Sequence, residues 1–469
     1  MKKNNALVLI VLALLITIFL PSLVHQGMFL DGITYSAISK NLASGIGSCF
    51  APHYTKVLYP VFYEHPPLVF IIQSYFFLVL GDGFYTEKLF SLVVIIFTVY
   101  GIVLCWRLLS EGEAERDNYW IPILFWLIIP IVAWSYKNNL LENVTGLFSL
   151  FAVYFLLSAL IYSRNLLLFP ASLFIFLAFL SKGFVGLFPI AVPFVYTALY
   201  GSWKKAMFNS LVIIVCLFCF FVGMYLLFPE LIINLKFYFT QQLLPALQNK
   251  REITTSNRFK LIFDLLLDLS IPIILLIGFW YYEWKNHVKT IEFKNKRFLL
   301  FFLIALSASI PLMISLKQRK FYLIPSIPFY ALSIGYLLHE VIQVQIEKIP
   351  EVYFKYIKFL SYGSIGLIFV YSISNFGNYS RDKEILIDVQ RITQHIPTGS
   401  ILSTSQDLCT DWALIAYLSR FGYLSLDCSN EHKFLLLDRN SNKNISDKFK
   451  PLDLKLSRFK VYQIEEEVK

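Results

Sequence analysis

The chain has 469 residues, of which 57% are hydrophobic and only 15% charged, with a mean hydropathy of +0.62. A soluble globular protein is about half apolar and a quarter charged, so this composition excludes a water-soluble enzyme, a disordered chain and a nucleic-acid-binding domain. The formal charge of +10 therefore reads as membrane orientation, and 45 Phe and 28 Tyr suit lipid-facing surfaces and interfacial belts.

The first apolar run, 6–24, is long enough to span and lacks a small-residue cleavage site, so it is expected to remain as the first transmembrane helix rather than a removable leader. Comparable runs follow near 88–106, 120–136, 144–162, 166–180, 184–200, 207–228, 261–282, 298–316, 322–340 and 355–374, which gives eleven expected spans. Cys216 and Cys219 share a C-x-x-C spacing but lie inside one of these runs, where soft core residues are expected rather than a metal or redox pair.

One segment is ambiguous. Residues 66–80 are only 15 long, opened by Pro66 and Pro67 and closed by Gly81, Asp82 and Gly83. If they crossed, Lys204, Lys205, Lys285, Lys289, Lys294, Lys296 and Arg297 would lie outside; if they lie flat, those residues fall on the cytoplasmic side with Lys2, Lys3, Arg107, Arg116 and Arg164. Basic residues of short loops are retained inside, so the segment is expected to lie flat. Residues 25–87, 137–143, 181–183, 229–260, 317–321 and everything after about 375 then share the outer face.

The expected architecture is an all-α polytopic membrane protein of about 11 spans, residues 1–375, followed by a small soluble α/β domain, 376–469. In that tail an amphipathic helix over 384–395 precedes strands or helices near 401–404, 412–421, 423–427, 434–437 and 459–463, and Cys409 and Cys428 are placed where a disulfide is permitted.

Several ionisable residues fall in the outer segments. Asp31 follows the first helix, where it would serve equally as the N-cap of a short amphipathic helix. Glu64 and His65 precede Pro66-Pro67, and Glu142 opens a span on the next outer turn. Lys182 lies in Ser181-Lys182-Gly183, and Lys317, Arg319, Lys320 and Tyr322 precede Leu323-Ile324-Pro325. Basic groups in short outer turns run against the positive-inside bias; headgroup snorkelling is one explanation, and an anionic phosphate ligand is a better one.

In this order and on one side, these motifs resemble the protein mannosyltransferase and aminoarabinose lipid A transferase family, glycosyltransferases of the C-type fold that use polyprenyl-phosphate sugars. The resemblance covers about residues 6–340. It implies Asp31 as catalytic acid of the first loop, Glu64 as the acid before the Pro-Pro pair and Glu142 as the acid of the second loop. It also implies Lys182, and Lys317, Arg319, Lys320 and Tyr322, as contacts of the donor phosphate, with His65 in a position where many members have Lys. Glu142 likewise stands where many have Asp.

The implied reaction is inverting transfer of a hexosyl or pentosyl unit from a polyprenyl-phosphate donor to a hydroxyl of lipid A, another glycan or a protein, in the periplasmic half of a bacterial inner membrane. No cofactor is required; the acids with His65 are of the right types to ligate a divalent metal. A transporter or lipid flippase with an outer soluble domain is the rival reading, but transporters place charges near the midplane and often carry paired repeats. Here the acids cluster at outer ends.

Overall fold

The computed structural model describes residues 2–250, 252–441 and 445–464. Eight helical segments among them are long and apolar enough to cross a membrane, and two bent pairs raise the number to ten. The first pair, Glu113–Leu127 with Pro130–Lys137, bends by 79°. Pro130 explains it, because the residue before a proline is pushed out of the helical region, and Ile129 is extended. The second pair, Lys260–Asp268 with Ser270–Asn286, bends by 61° just ahead of Pro272, whose missing N–H would otherwise bond across the break.

The stretch expected as spans 166–180 and 184–200 is a single 36-residue helical run, Asn165–Tyr200. It folds back on itself at Gly183, whose φ is +75°. The returning arm packs so closely that a Cβ on Gly186 would meet the carbonyl carbon of Ala178 at 2.4 Å. Counted as one, this run leaves at most ten candidate spans among the described residues, against the eleven expected.

Four helices are needed below: α1 (Lys2–Leu23), α2 (Leu30–Ala43), α3 (Leu68–Leu80) and α4 (Thr86–Leu109). With 13 residues, α3 is about 20 Å long, short of the ~30 Å hydrocarbon core. It packs beside α2, where Ser39 Oγ donates to Gln73 Oε1 at 2.9 Å.

The segments assigned to the outer face meet at one end of the bundle. Phe29 N–H donates to Asn138 Oδ1 (2.7 Å), Ser48 Oγ to Glu230 Oε2 (3.1 Å) and Gln318 N–H to Thr254 Oγ1 (2.8 Å). At the other end Arg297 pairs with Glu115 at 2.9 Å, and Lys3 Nζ donates to the carbonyls of Ile346 and Ile349.

Beyond the helix Glu351–Ser374 the chain forms a five-stranded sheet from β1 (Ile401–Ser403), β2 (Ser425–Asp427), β3 (Phe434–Asp438), β4 (Phe449–Leu452) and β5 (Phe459–Ile464). Its order is β2-β1-β3-β5-β4, with β1 parallel to both neighbours and β5 antiparallel to both of its own. Helices Lys383–His395 and Trp412–Gly422 supply Val389, Ile392, Leu414 and Leu418 to the buried core with Leu402 and Leu436. Cys409 and Cys428 are joined as a disulfide, their Cα atoms 6.3 Å apart.

This sheet unit is bolted to the membrane helices. Arg420 is fully buried and pairs with Asp82 and, at 3.0 Å, with Glu87 at the start of α4. Ser419 Oγ donates to the Tyr54 carbonyl at 2.6 Å, and Tyr417 Oη accepts from the Met28 N–H at 3.4 Å. A buried guanidinium is tolerated only with such partners, so the pairing holds the first loop under the sheet.

Candidate active site

Asp31 occupies the first turn of α2, but the helix begins at Leu30 after Phe29 and carries no side-chain cap. Capping is therefore not what Asp31 does. Gly32 explains its position: a Cβ there would lie 1.8 Å from the Asn138 carbonyl oxygen, so only glycine lets α2 rest on the 137–140 turn. Asn139, at φ +52°, completes the contact. Its Nδ2 donates to Ser36 Oγ (3.0 Å) and its Oδ1 accepts from Gln73 Nε2 (3.0 Å). Helices α2 and α3 and the turn leading to Glu142 are thus one hydrogen-bonded block.

Glu142, fully buried in the first turn of the helix Leu141–Tyr162, accepts a hydrogen bond from Lys182 Nζ. Its Oε2 makes no hydrogen bond among the described residues. Lys182 ends the helix Leu168–Lys182 at the crease formed by Gly183, and its Nζ lies 4.8 Å from the Tyr322 ring centroid and 5.7 Å from that of Phe321. The 3₁₀ segment Lys320–Ser326 reaches this spot because Gly146, one turn beyond Glu142, lets Pro325 approach; a Cβ on Gly146 would sit 3.2 Å from Pro325 Cα.

Burial pushes the Asp31 carboxyl above the usual carboxylate range, while the positive charges of Lys182, Arg319 and Lys317 oppose the shift. Asp31 therefore faces the basic cluster. Tyr35, one turn further along α2 and 4% exposed, joins the same centre. Burial first, and then Asp31, Glu142, Tyr322 and Glu64, raise its hydroxyl well above the ordinary tyrosine range. The His65 ring lies 5.9 Å from the Tyr35 ring. Asp31, Glu64, His65, Glu142, Lys182, Lys317, Arg319 and Tyr322 are all gathered here.

Lys320 is not: it pairs with Asp268 at 2.8 Å on the helix Lys260–Asp268. Arg319 and Lys317 approach Glu252 at 3.2 and 3.9 Å, in the loop joining the outer helices to that helix. Tyr35 and Glu252 are two participants that sequence reading overlooked. Tyr35 had a signal, since a residue four positions after Asp31 shares its helix face.

Beside Lys182 runs an apolar groove of about 380 Å³ lined by Phe179, Phe184, Ile232, Leu235, Lys236, Tyr238 and Phe239. Tyr238 Oη donates to the Lys182 carbonyl at 3.4 Å, so the groove opens next to the cationic centre. Among the described residues no three His, Cys, Asp or Glu converge closely enough to hold an ion, and one Glu142 oxygen is committed to Lys182.

The Gly183 crease makes a prediction. A Cβ there would meet Tyr238 Oη at 2.1 Å at a backbone angle that L residues rarely adopt, so Gly183→Ala should cost roughly 1–3 kcal/mol and move Lys182. A lowered thermal midpoint in detergent checks it; an unchanged midpoint would mean the crease relaxes freely.

No family model matches the chain, and no curated protein matches it significantly by sequence. Solved structures do match in fold. ArnT from Cupriavidus metallidurans bound to undecaprenyl phosphate superposes with a TM-score of 0.67 over 97% of this chain and 97% of that one, at 15% identity. The fold is that of ArnT. Its apo form gives 0.64 over the same shares, so the likeness runs through both the membrane helices and the appended sheet. The archaeal oligosaccharyltransferase AglB from Archaeoglobus fulgidus, in complex with an inhibitory peptide and a dolichol-phosphate, gives 0.54 at 13% identity, covering 93% of this chain and 70% of that one. This places the chain in the C-type glycosyltransferase fold expected from its motifs.

Proposed function

We propose that the protein is a membrane glycosyltransferase that moves a sugar from a polyprenyl-phosphate donor to an acceptor hydroxyl, with inversion, and that Asp31 is the general base. The observation that carries this reading is a half-buried carboxyl, free of any capping role and within electrostatic reach of Lys182, Arg319 and Lys317. A fold shared with ArnT, whose structure holds undecaprenyl phosphate, supports the choice of donor.

In this reaction the acceptor oxygen bonds to the anomeric carbon as the bond from that carbon to the phosphate oxygen breaks. The acceptor proton passes to Asp31, and the electron pair leaves on the polyprenyl phosphate. A carboxyl raised by burial is a better proton acceptor near neutral pH. Arg319, Lys317 and Lys182, with Tyr322, meet the charge developing on the leaving phosphate, and the groove beside Lys182 takes the start of the isoprenoid chain. The free Oε2 of Glu142 and the carboxylate of Glu64 orient sugar or acceptor hydroxyls. His65 stands at the edge of the phosphate site beside Tyr35, while Lys320, turned toward Asp268, takes no part in it.

The same reading sets the site on the periplasmic side of a bacterial inner membrane, the N-terminus in the cytoplasm and residues 376–469 as an outer α/β domain. Basic clusters at the end opposite the site support it. The acceptor is lipid A, another glycan or a protein. Mass spectrometry of these three classes from cells with and without the gene should show one of them lighter by one sugar when the gene is absent; three unchanged profiles would contradict the reading.

The pH profile gives a second test. Arg319 holds the Asp31 carboxyl down, so Arg319→Gln should let it rise, and the acid limb of kcat/KM should move to higher pH. An unmoved limb would show that it does not report Asp31.

A further inference from the structure

A second cavity, of about 580 Å³, lies on the other side of α2's first turn, between the end of α1, the helix Pro130–Lys137 and the chain after Asn378. Its lining includes Lys88, Lys137, Arg381 and His25, and no acidic residue among the described residues. Lys88 is the decisive group. It is 3% exposed in the first turn of α4, where the helix dipole disfavours a cation. Its ammonium donates to the carbonyls of Lys137 (3.0 Å) and Gly27 (3.3 Å), which leaves one of its three donors over. Glu87, the neighbouring acid, is committed to Arg420 at 3.0 Å.

Arg381 gives its Nε to Asp382 (3.3 Å) and lays its guanidinium over Phe29, 5.6 Å from the centroid. Asp382 also accepts a hydrogen bond from the Tyr417 hydroxyl. Lys137 is exposed at the mouth. Three cations thus converge, of which Arg381 is paired with Asp382 while Lys88 and Lys137 pair with no acid among the described residues. One wall of the cavity is apolar, Ile18, Pro21, Pro130 and Ala133, while Ser22, Asn138 and Ser380 add polar groups to the rest. Trp134 closes it toward the reaction centre, stacked on Phe321 at 5.7 Å.

We infer that this cavity is a second phosphate-binding site, separate from the donor site, which holds the phosphate-bearing headgroup of a membrane lipid. Lys88 and Arg381 supply charge-assisted donors to phosphate oxygens, Lys137 adds charge at the entrance, and the apolar wall receives the first carbons of an acyl chain. The inference does not depend on the transferase reading.

The test uses the purified full-length protein in detergent with dioleoyl phosphatidic acid, dioleoylglycerol and inorganic phosphate as probes, read by native mass spectrometry and thermal shift. Phosphatidic acid should be retained and stabilise the protein, dioleoylglycerol should not, and the exposed pair of changes Lys137→Gln with Arg381→Gln should weaken retention at least about tenfold. Lys88→Gln should do the same where it folds. Asp31→Asn should retain the lipid unchanged, which keeps failure here distinct from failure of the catalytic assignment. Stabilisation by inorganic phosphate alone, lost in the double variant, would support the phosphate chemistry and assign it to a soluble anion. Equal retention of both lipids, or full retention by the folded double variant, would overturn the inference.

Discussion

Asparagine in place of Asp31 should lower sugar transfer by about 10²–10⁴-fold while membrane insertion and thermal midpoint stay as in the unaltered protein. The separation is expected because Asp31 makes no capping bond and α2 is held instead by Gly32 on the 137–140 turn and by Asn139. Asparagine keeps the shape and removes only the proton acceptor. Release of polyprenyl phosphate from a synthetic polyprenyl-phosphate sugar, followed by chromatography, measures it. Transfer at the normal rate would exclude the base role.

The second large effect concerns the buried pair of Lys182 and Glu142. Removing one partner of such a pair leaves an uncompensated charge in a site of low polarity, at a cost of about 3–5 kcal/mol. Lys182→Met should therefore both destabilise the protein and abolish transfer. Adding Glu142→Gln removes the stranded charge, so the double variant should regain most of the lost thermal midpoint and none of the transfer. The contrast is the point of the experiment: if activity returned together with stability, Lys182 would be a packing element and not a phosphate contact.

Much of this arrangement was readable in the chain because membrane proteins announce where ionisable groups sit. Asp31, Glu142 and Lys182 lie next to apolar runs, where a charge needs a reason, and all three meet in space. The flat 66–80 segment was expected from the distribution of Lys and Arg, and α3 has 13 residues, fewer than the ~20 a span needs. Tyr35 was hidden because a tyrosine on an apolar helix face looks like core, and only the burial of its hydroxyl among four other polar groups distinguishes it. Lys320 shows the opposite failure. Its sequence neighbours Arg319 and Lys317 face Asp31, but the extended Arg319 and the 3₁₀ turn after it direct Lys320 to Asp268, a partner 52 positions away that no local pattern announces. In the sheet, β4 escaped notice because Pro451 breaks the strand pattern of Phe449–Leu452; proline is accepted there because β4 is an edge strand.

The bond between Arg420 and Asp82 joins residues 338 positions apart, which has a consequence for the order of assembly. At ~5–20 residues per second, roughly 17–70 s of synthesis separate the two partners. During that interval the first loop is made but unclamped, with Asp82 and Glu87 awaiting their cation. The first loop is therefore clamped only after every membrane helix has been made, and a nascent chain halted before Arg420 would carry Asp31 and Glu64 on a loop that lacks this brace.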